Sequence, residues 1–501
     1  MNTQSAAAYA AEVIVIGSGA GGAAAAYTLA KRGLRVLILE KGPVLPRDGS
    51  TLDISRVVHQ GEFLSRERWL DGRGKELAPE EHFNLGGKTK WYGAALIRFS
   101  PQEFDADLPY GSRGWPIRYA EMEPYYEQAE RILGVKYYPC EKYLERILNR
   151  LSSATSPWLS SPLPLALSEN ILDNRNEATH FDGFASASDL KGDAEVSFLA
   201  SLRQLPNVEI RCDTEVVGLL PAASGRDRID GVRLKNGESL RAKAIVLAAG
   251  ALHSPRLLSR YITASNPLLP AASNVGRNLK LHLLTAVVAV SLSCQTDLLR
   301  KTMLTVHEQF PHSSLQPLGF DGELIGTLLP KFIPRFLARE IGARAYGFFL
   351  QTEDGSASEN RVLEITDPKS GEVTPVLDYD ENRTPQASVE HRRFVRAFQM
   401  SMLKMGMPSF RQRIGLNGTA HVCGTLMAGN HSRDSVVDSR GAVFDVSGLY
   451  VADGSVLPRI SRVNPSLSIY AWALRVGTLL GQQLLRPAPQ FLREPPLWRD
   501  A

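Results

Sequence analysis

Apolar residues in this chain fall into two kinds of pattern. Short unbroken runs lie near both ends: Val13-Ile-Val-Ile16, Val36-Leu-Ile-Leu39, Ala244-Ile-Val-Leu-Ala-Ala249 and Gly448-Leu-Tyr-Val-Ala452. Runs of this length, rich in β-branched residues, read as strands buried on both faces, as in a parallel sheet. A small-residue helix (23–30) separates the first two. Between 283 and 380 shorter β-rich runs (283–292, 345–351, 361–366, 375–379) alternate with loops, which predicts a second, largely antiparallel sheet. Helical spacing marks 119–133, with Tyr119, Met122 and Tyr126 as a packing stripe, and also 194–205, 387–405 and the stretch after Pro465. A hairpin is expected over 231–244. The 43–82 segment offers one helical candidate (54–64), 151–190 reads as Ser- and Pro-rich loops, and 328–339 reads as a packed apolar-basic helix in preference to a lid or membrane contact. The fold class expected is α/β, with a nucleotide-binding sheet and a second domain on an antiparallel sheet flanked by helices.

The first strand runs into Gly17-Ser-Gly19-Ala20-Gly-Gly22, a G-x-G-x-x-G loop, and the second ends at Glu40. Gly17 suits the tight turn, Gly19 lets a pyrophosphate approach the backbone, and Gly22 lets helix pack on strand. The phosphates would lie on the helix N-terminus, with Glu40 accepting from a ribose diol. An acid there disfavours a 2′-phosphate. Further on, Gly86-Gly87-Lys-Thr89-Lys-Trp-Tyr92-Gly93-Ala94 suits a backbone pressed against a planar ligand. At the C-terminal end His421 opens His-Val-Cys-Gly-Thr, and Asn464-Pro465-Ser466 opens a helix. An imidazole and a carboxamide at the starts of apolar segments can face one cavity from rigid supports. His253 reads as structural and Cys423 as packing.

Composition narrows the function classes. The 501 residues are 44% hydrophobic and 22% charged, with a formal net charge of +4, too small a balance to suggest nucleic-acid binding. Four scattered cysteines, with no C-x-x-C pair, predict neither a metal site nor a disulfide framework. With no secretory signal pattern and no membrane-spanning apolar run, a cytoplasmic protein is expected.

The G-x-G-x-x-G loop with Glu40, the Gly86-Gly87 segment, Trp115-Pro116 with Pro124-Tyr125-Tyr126, Ala248-Ala-Gly-Ala-Leu-His-Ser-Pro255, Val275-Gly-Arg-Asn278 and the His421 and Asn464 blocks together resemble the glucose-methanol-choline (GMC) oxidoreductases, in their compact bacterial form. The resemblance implies FAD in a Rossmann-like domain (1–100, 190–282, 420–501) and a substrate domain (101–189, 283–419). It implies cofactor contacts at Gly17, Gly19, Ala20, Gly22, Glu40 and Lys41, and along Gly86, Gly87, Thr89, Tyr92, Gly93 and Ala94. Others are implied at Val217 beside the adenine, at Ala249 and Gly250, at Asp453 and Gly454, and at Asn464, Pro465 and Ser466. Where some members attach FAD through a histidine this chain has Trp91, so non-covalent FAD is expected. A methionine usual in the His421 block is Ala428.

The activity implied is oxidation of a CH–OH group of a sugar or other alcohol by hydride transfer to flavin N5, with His421 as general base and Asn464 holding the oxygen. The electron acceptor is left open between oxygen, a quinone and a redox protein. Other flavin chemistry on the same fold, or a flavoprotein subunit feeding a separate cytochrome, are the alternatives. A plain NAD-dependent enzyme leaves the C-terminal block without a role.

Overall fold

The strand Val13–Ile16 (β1) is fully buried and lies at the centre of a five-stranded parallel sheet. Val36–Leu39 (β2) and then Val208–Arg211 flank it on one side, Ala244–Leu247 and then Leu449–Val451 on the other. The helix Ala20–Ala30 (α1) joins β1 to β2. Six of its eleven residues are alanine and two are glycine, so it packs closely against the C-terminal helix Ser466–Leu485, itself buried along most of its length. The computed structural model describes residues 9–152, 155–265, 269–329 and 333–486.

A six-stranded antiparallel sheet forms the second layer, in the order Ser409–Arg413, Leu283–Val290, Ala345–Thr352, Phe310–Pro317, Met303–His307, Trp158–Pro162. Its own core sets Val287, Phe348 and Leu350 against Phe394, Phe398 and Met402 of the helix Pro385–Lys404. Phe348 is sealed in this core. Smaller sheets complete the fold, one of three strands over Val216–Arg241 and one of four that pairs Arg361–Thr366 and Val373–Asp378 with Trp69–Asp71 and Glu76–Leu77.

Several expectations change here. The 151–190 stretch is more than loop, since Trp158–Pro162 is an edge strand, where proline's missing N–H is tolerated. Residues 361–379 join the four-stranded sheet and leave the larger one. The 54–64 candidate shrinks to one turn, Ser55–His59. In place of a packed helix over 328–339 there is a helix pair, Gly322–Leu328 and Arg335–Arg344, close-packed at Gly322 and Gly342, with Phe336 and Leu337 exposed. Residues 330–332 lie outside the described residues. The helix Tyr119–Leu133 has the expected bounds and buries Met122 and Tyr126.

Gly22 sets how closely α1 meets β1, because a Cβ there would lie 1.9 Å from the Gly17 carbonyl oxygen. Alanine favours a helix over glycine by about 1 kcal/mol, whereas overpacking against backbone costs about 1–3 kcal/mol or more. The collision should win. Gly22→Ala is expected to lower the urea midpoint of unfolding, and a midpoint at or above wild type would contradict this packing.

Candidate active site

The glycine loop is braced by one buried carboxylate. Glu40 Oε2 accepts from the Ser18 amide at 3.0 Å and from Ser18 Oγ, while Oε1 accepts from the Gly42 amide at 3.0 Å. Ser18 Oγ in turn accepts from the Gly86 amide at 3.0 Å, so β1, β2 and the Gly86-Gly87 turn are tied at one point. Burial raises the Glu40 pKa and these donors oppose the rise. Three of the carboxylate's roughly four acceptor sites are thus filled from within the chain.

Around this brace parts of the backbone stay open to solvent. Gly17, Gly19 and Ala20 keep partial exposure between buried neighbours, as do Gly87, Gly93, Ala249 and Gly250. No side chain caps α1 and its first turn carries no acid, which leaves its amides for an anion. A Cβ on Gly87 would lie 3.1 Å from the Gly19 Cα, and both Gly86 and Gly87 have positive φ. Val217 sits at a bulge, out of register with its partner strand, so its backbone is not consumed by the ladder. Asp453 accepts from the Gly250 amide at 2.9 Å and from Ser254 and Ser455, which fixes Gly454 and the Ala249-Gly250 turn against each other. These features suit a dinucleotide with a buried pyrophosphate.

Other expected contacts are engaged elsewhere. Lys41 pairs with Glu215 at 3.0 Å and lies over the Phe83 ring, the Thr89 hydroxyl donates to the Gly86 carbonyl, and the Tyr92 hydroxyl donates to the Gly192 carbonyl. Ala94 has a positive φ of 50°, and a side chain on Gly93 would meet the ion pair of Asp182 and Lys301. Trp91 stacks on His82 and donates to Asn84 Oδ1 at 2.9 Å.

His421 and Asn464 do come together. Asn464 Nδ2 is 3.3 Å from His421 Nε2, at the mouth of the C-terminal helix, where Pro465 precedes the first turn at Ser466. A third residue, passed over in the sequence, completes the cluster. A two-residue antiparallel ladder pairs Lys280 with Cys423 and Leu281 with Val422, and the next position sets His282 opposite His421. Their Nδ1 atoms are 2.8 Å apart, and His282 Nε2 is 2.7 Å from the Ser461 carbonyl oxygen. Gln316, on the six-stranded sheet, donates from Nε2 to Asn464 Oδ1. Only the short ladder register could have pointed to His282, and nothing in the sequence points to Gln316. A cavity of about 430 Å³ is lined in part by Leu281, His282, Tyr379 and Arg413, and neither His421 nor Asn464 lines it.

Burial drives the His282 pKa down to about 4. Burial, with help from the neighbouring His282 and the more distant Lys301 and Lys88, holds His421 well below its usual value. Both imidazoles are therefore neutral near pH 7.

Comparison with known proteins shows the family to which the chain belongs. Residues 12–276, more than half of the chain, match the family model described as FAD dependent oxidoreductase, and residues 364–473 match that described as GMC oxidoreductase. The chain belongs to the FAD-dependent GMC oxidoreductases. It is similar to 6‴-hydroxyparomomycin C oxidase of Streptomyces lividus, at 28% identity over 94% of this chain and 92% of that protein. Paromamine 6′-oxidase of Streptomyces fradiae is 28% identical over 95% of this chain and 92% of its own length. Among solved structures, pyridoxine 4-oxidase from Mesorbium loti shares the fold with a TM-score of 0.59 at 17% identity, covering 94% of this chain and 99% of that one. Among the described residues no helix is long and apolar enough to cross a membrane.

The two depressed histidines carry a pH signature. Their folded pKa values lie below the unfolded value of about 6.5, so the stability involved is complete above that pH. It is lost as pH falls, because the unfolded chain takes up protons that the folded pair refuses. The urea midpoint is expected to drop between about pH 7 and pH 5, and less steeply in His421→Asn. Equal slopes in the two proteins would show that His421 is not held neutral by the fold.

Proposed function

We propose that this protein oxidises a CH–OH group of a sugar or other alcohol to the carbonyl, with His421 as the general base. The observation that carries the reading is the 3.3 Å contact between Asn464 Nδ2 and His421 Nε2 at the mouth of a helix. FAD, when bound, supplies the two-electron acceptor for the hydrogen leaving the carbinol carbon. A substrate hydroxyl entering between the two side chains would donate its proton to His421 Nε2 and accept from the Asn464 amide. Asn464 cannot take a proton, so its part is to hold the oxygen as charge develops, as a fixed dipole. Depression of the His421 pKa keeps its lone pair available well into acid.

The N-terminus of the Ser466–Leu485 helix would stabilise negative charge on the reduced cofactor, by about 0.3–1 kcal/mol at exposed sites and up to about 2 kcal/mol where partly buried. The glycine loop, Gly86-Gly87 and the Ala249-Gly250 and Asp453-Gly454 turns would hold the dinucleotide, without a covalent link through the segment that carries Trp91. Division of the chain into an FAD domain and a substrate domain is supported by the membership of the two large sheets. The names of the two Streptomyces relatives favour amino sugars among the substrates to try first.

The test is the visible spectrum of the purified protein under argon, before and after addition of amino sugars, neutral sugars and primary alcohols. Bleaching of the oxidised-flavin band supports the reading, and the speed of colour return in air separates oxidase from dehydrogenase. His421→Ala should keep its flavin but bleach about 10²–10⁴-fold more slowly, and Asn464→Ala should lose less. Bleaching of His421→Ala at the wild-type rate would remove His421 from the base role.

A further inference from the structure

Building on the reading of His421 as the base, we propose that His282 is a positioning residue that fixes the tautomer of His421, so that Nε2 carries the lone pair offered to substrate.

The polarity of the hydrogen-bond chain is set from one end. A carbonyl oxygen can only accept, so His282 Nε2, 2.7 Å from the Ser461 carbonyl, carries a hydrogen. A neutral imidazole has only one N–H, which leaves His282 Nδ1 as an acceptor. The 2.8 Å contact between the two Nδ1 atoms then requires His421 Nδ1 to donate. His421 Nε2 is consequently bare and faces Asn464 Nδ2, whose amide is turned that way by Gln316 donating to Asn464 Oδ1. Each member of the series donates toward Ser461 and accepts from the side of Gln316. Burial keeps both histidines neutral, as the logic requires.

The Ser461 carbonyl is itself held firmly. Ser461 has a left-handed backbone with φ of 66°, costly for a residue with a Cβ. Its hydroxyl and the Arg462 amide both donate to Glu103 Oε1, which stabilises the turn. Arg462, the next residue, has its own carbonyl taken by Ser314 and Gln351 of the six-stranded sheet. Which histidine nitrogen bears the proton is set by the bond the other nitrogen makes, and here that bond is made by another histidine.

The experiment combines nitrogen NMR of the histidine-labelled holoenzyme with stopped-flow flavin reduction in two variants. The wild-type His421 signal, assigned by its loss in His421→Ala, should report a protonated Nδ1 and a bare Nε2. A protonated Nε2 would overturn the proposal. His282→Asn places an amide oxygen near the position of Nδ1 and keeps an acceptor for His421, whereas His282→Leu has comparable bulk and no acceptor. Flavin reduction should fall by about 10²–10⁴-fold in His282→Leu and by no more than about tenfold in His282→Asn. A role in packing alone predicts the reverse order, so Leu matching or exceeding Asn would also overturn it. If His282→Leu fails to hold flavin, the wild-type tautomer decides alone. Full-speed reduction by His421→Ala would refute the base reading and leave the tautomer result standing.

Discussion

The site depends on a ladder only two residues long, Lys280–Leu281 against Val422–Cys423. One strand of it runs on into the six-stranded sheet through Leu283, and the other leads toward the parallel sheet through Leu449. Its register brings two histidines 139 residues apart to 2.8 Å. A slip of one residue would turn His421 to the opposite face and remove it from Asn464. The proposed catalytic geometry is therefore a property of how the two large layers meet.

The cofactor side rests on a different economy. Glu40, Ser18 and Gly86 form one buried knot from three segments, and partly exposed backbone at Gly17, Gly19 and Gly87 surrounds it. Glycine at positive φ and close interloop contact leave room that bulkier residues would fill. In the proposed binding mode helix N-termini and amides would meet the anionic dinucleotide, and they need no side-chain ordering when it arrives. The proposed substrate side, by contrast, is built from polar side chains, Gln316, Asn464, His421 and His282, each with a hydrogen-bond partner.

Much of this was legible in the sequence where local pattern and structure coincide. The unbroken runs at Val13 and Val36, the glycine loop, the Tyr119–Leu133 stripe and the Arg361–Thr366 strand all took the expected form, because each is specified by neighbouring residues. What escaped depends on long-range pairing. His282 lies at the junction of two strands, and its importance comes from a register with residue 421 that no local period reveals. Gln316 is one polar residue on a strand whose buried face happens to meet Asn464. Glu40 ends β2, where an acid can meet a ribose, and its oxygens also brace the loop through Ser18 and Gly42, a second role that local pattern does not show. The four-stranded sheet was missed because Trp69–Asp71 and Glu76–Leu77 are too short to show alternation.

The most direct measurement of the account is stopped-flow flavin reduction under argon, using a substrate alcohol deuterated at its carbinol carbon, in H₂O and in D₂O. If His421 removes the hydroxyl proton as the carbon–hydrogen bond breaks, bleaching should slow severalfold with the labelled carbon, and the residual rate of His421→Ala should lose any D₂O effect seen in wild type. Bleaching that is indifferent to deuterium at that carbon, with chemistry shown to limit the rate, would contradict oxidation of a CH–OH group at this site.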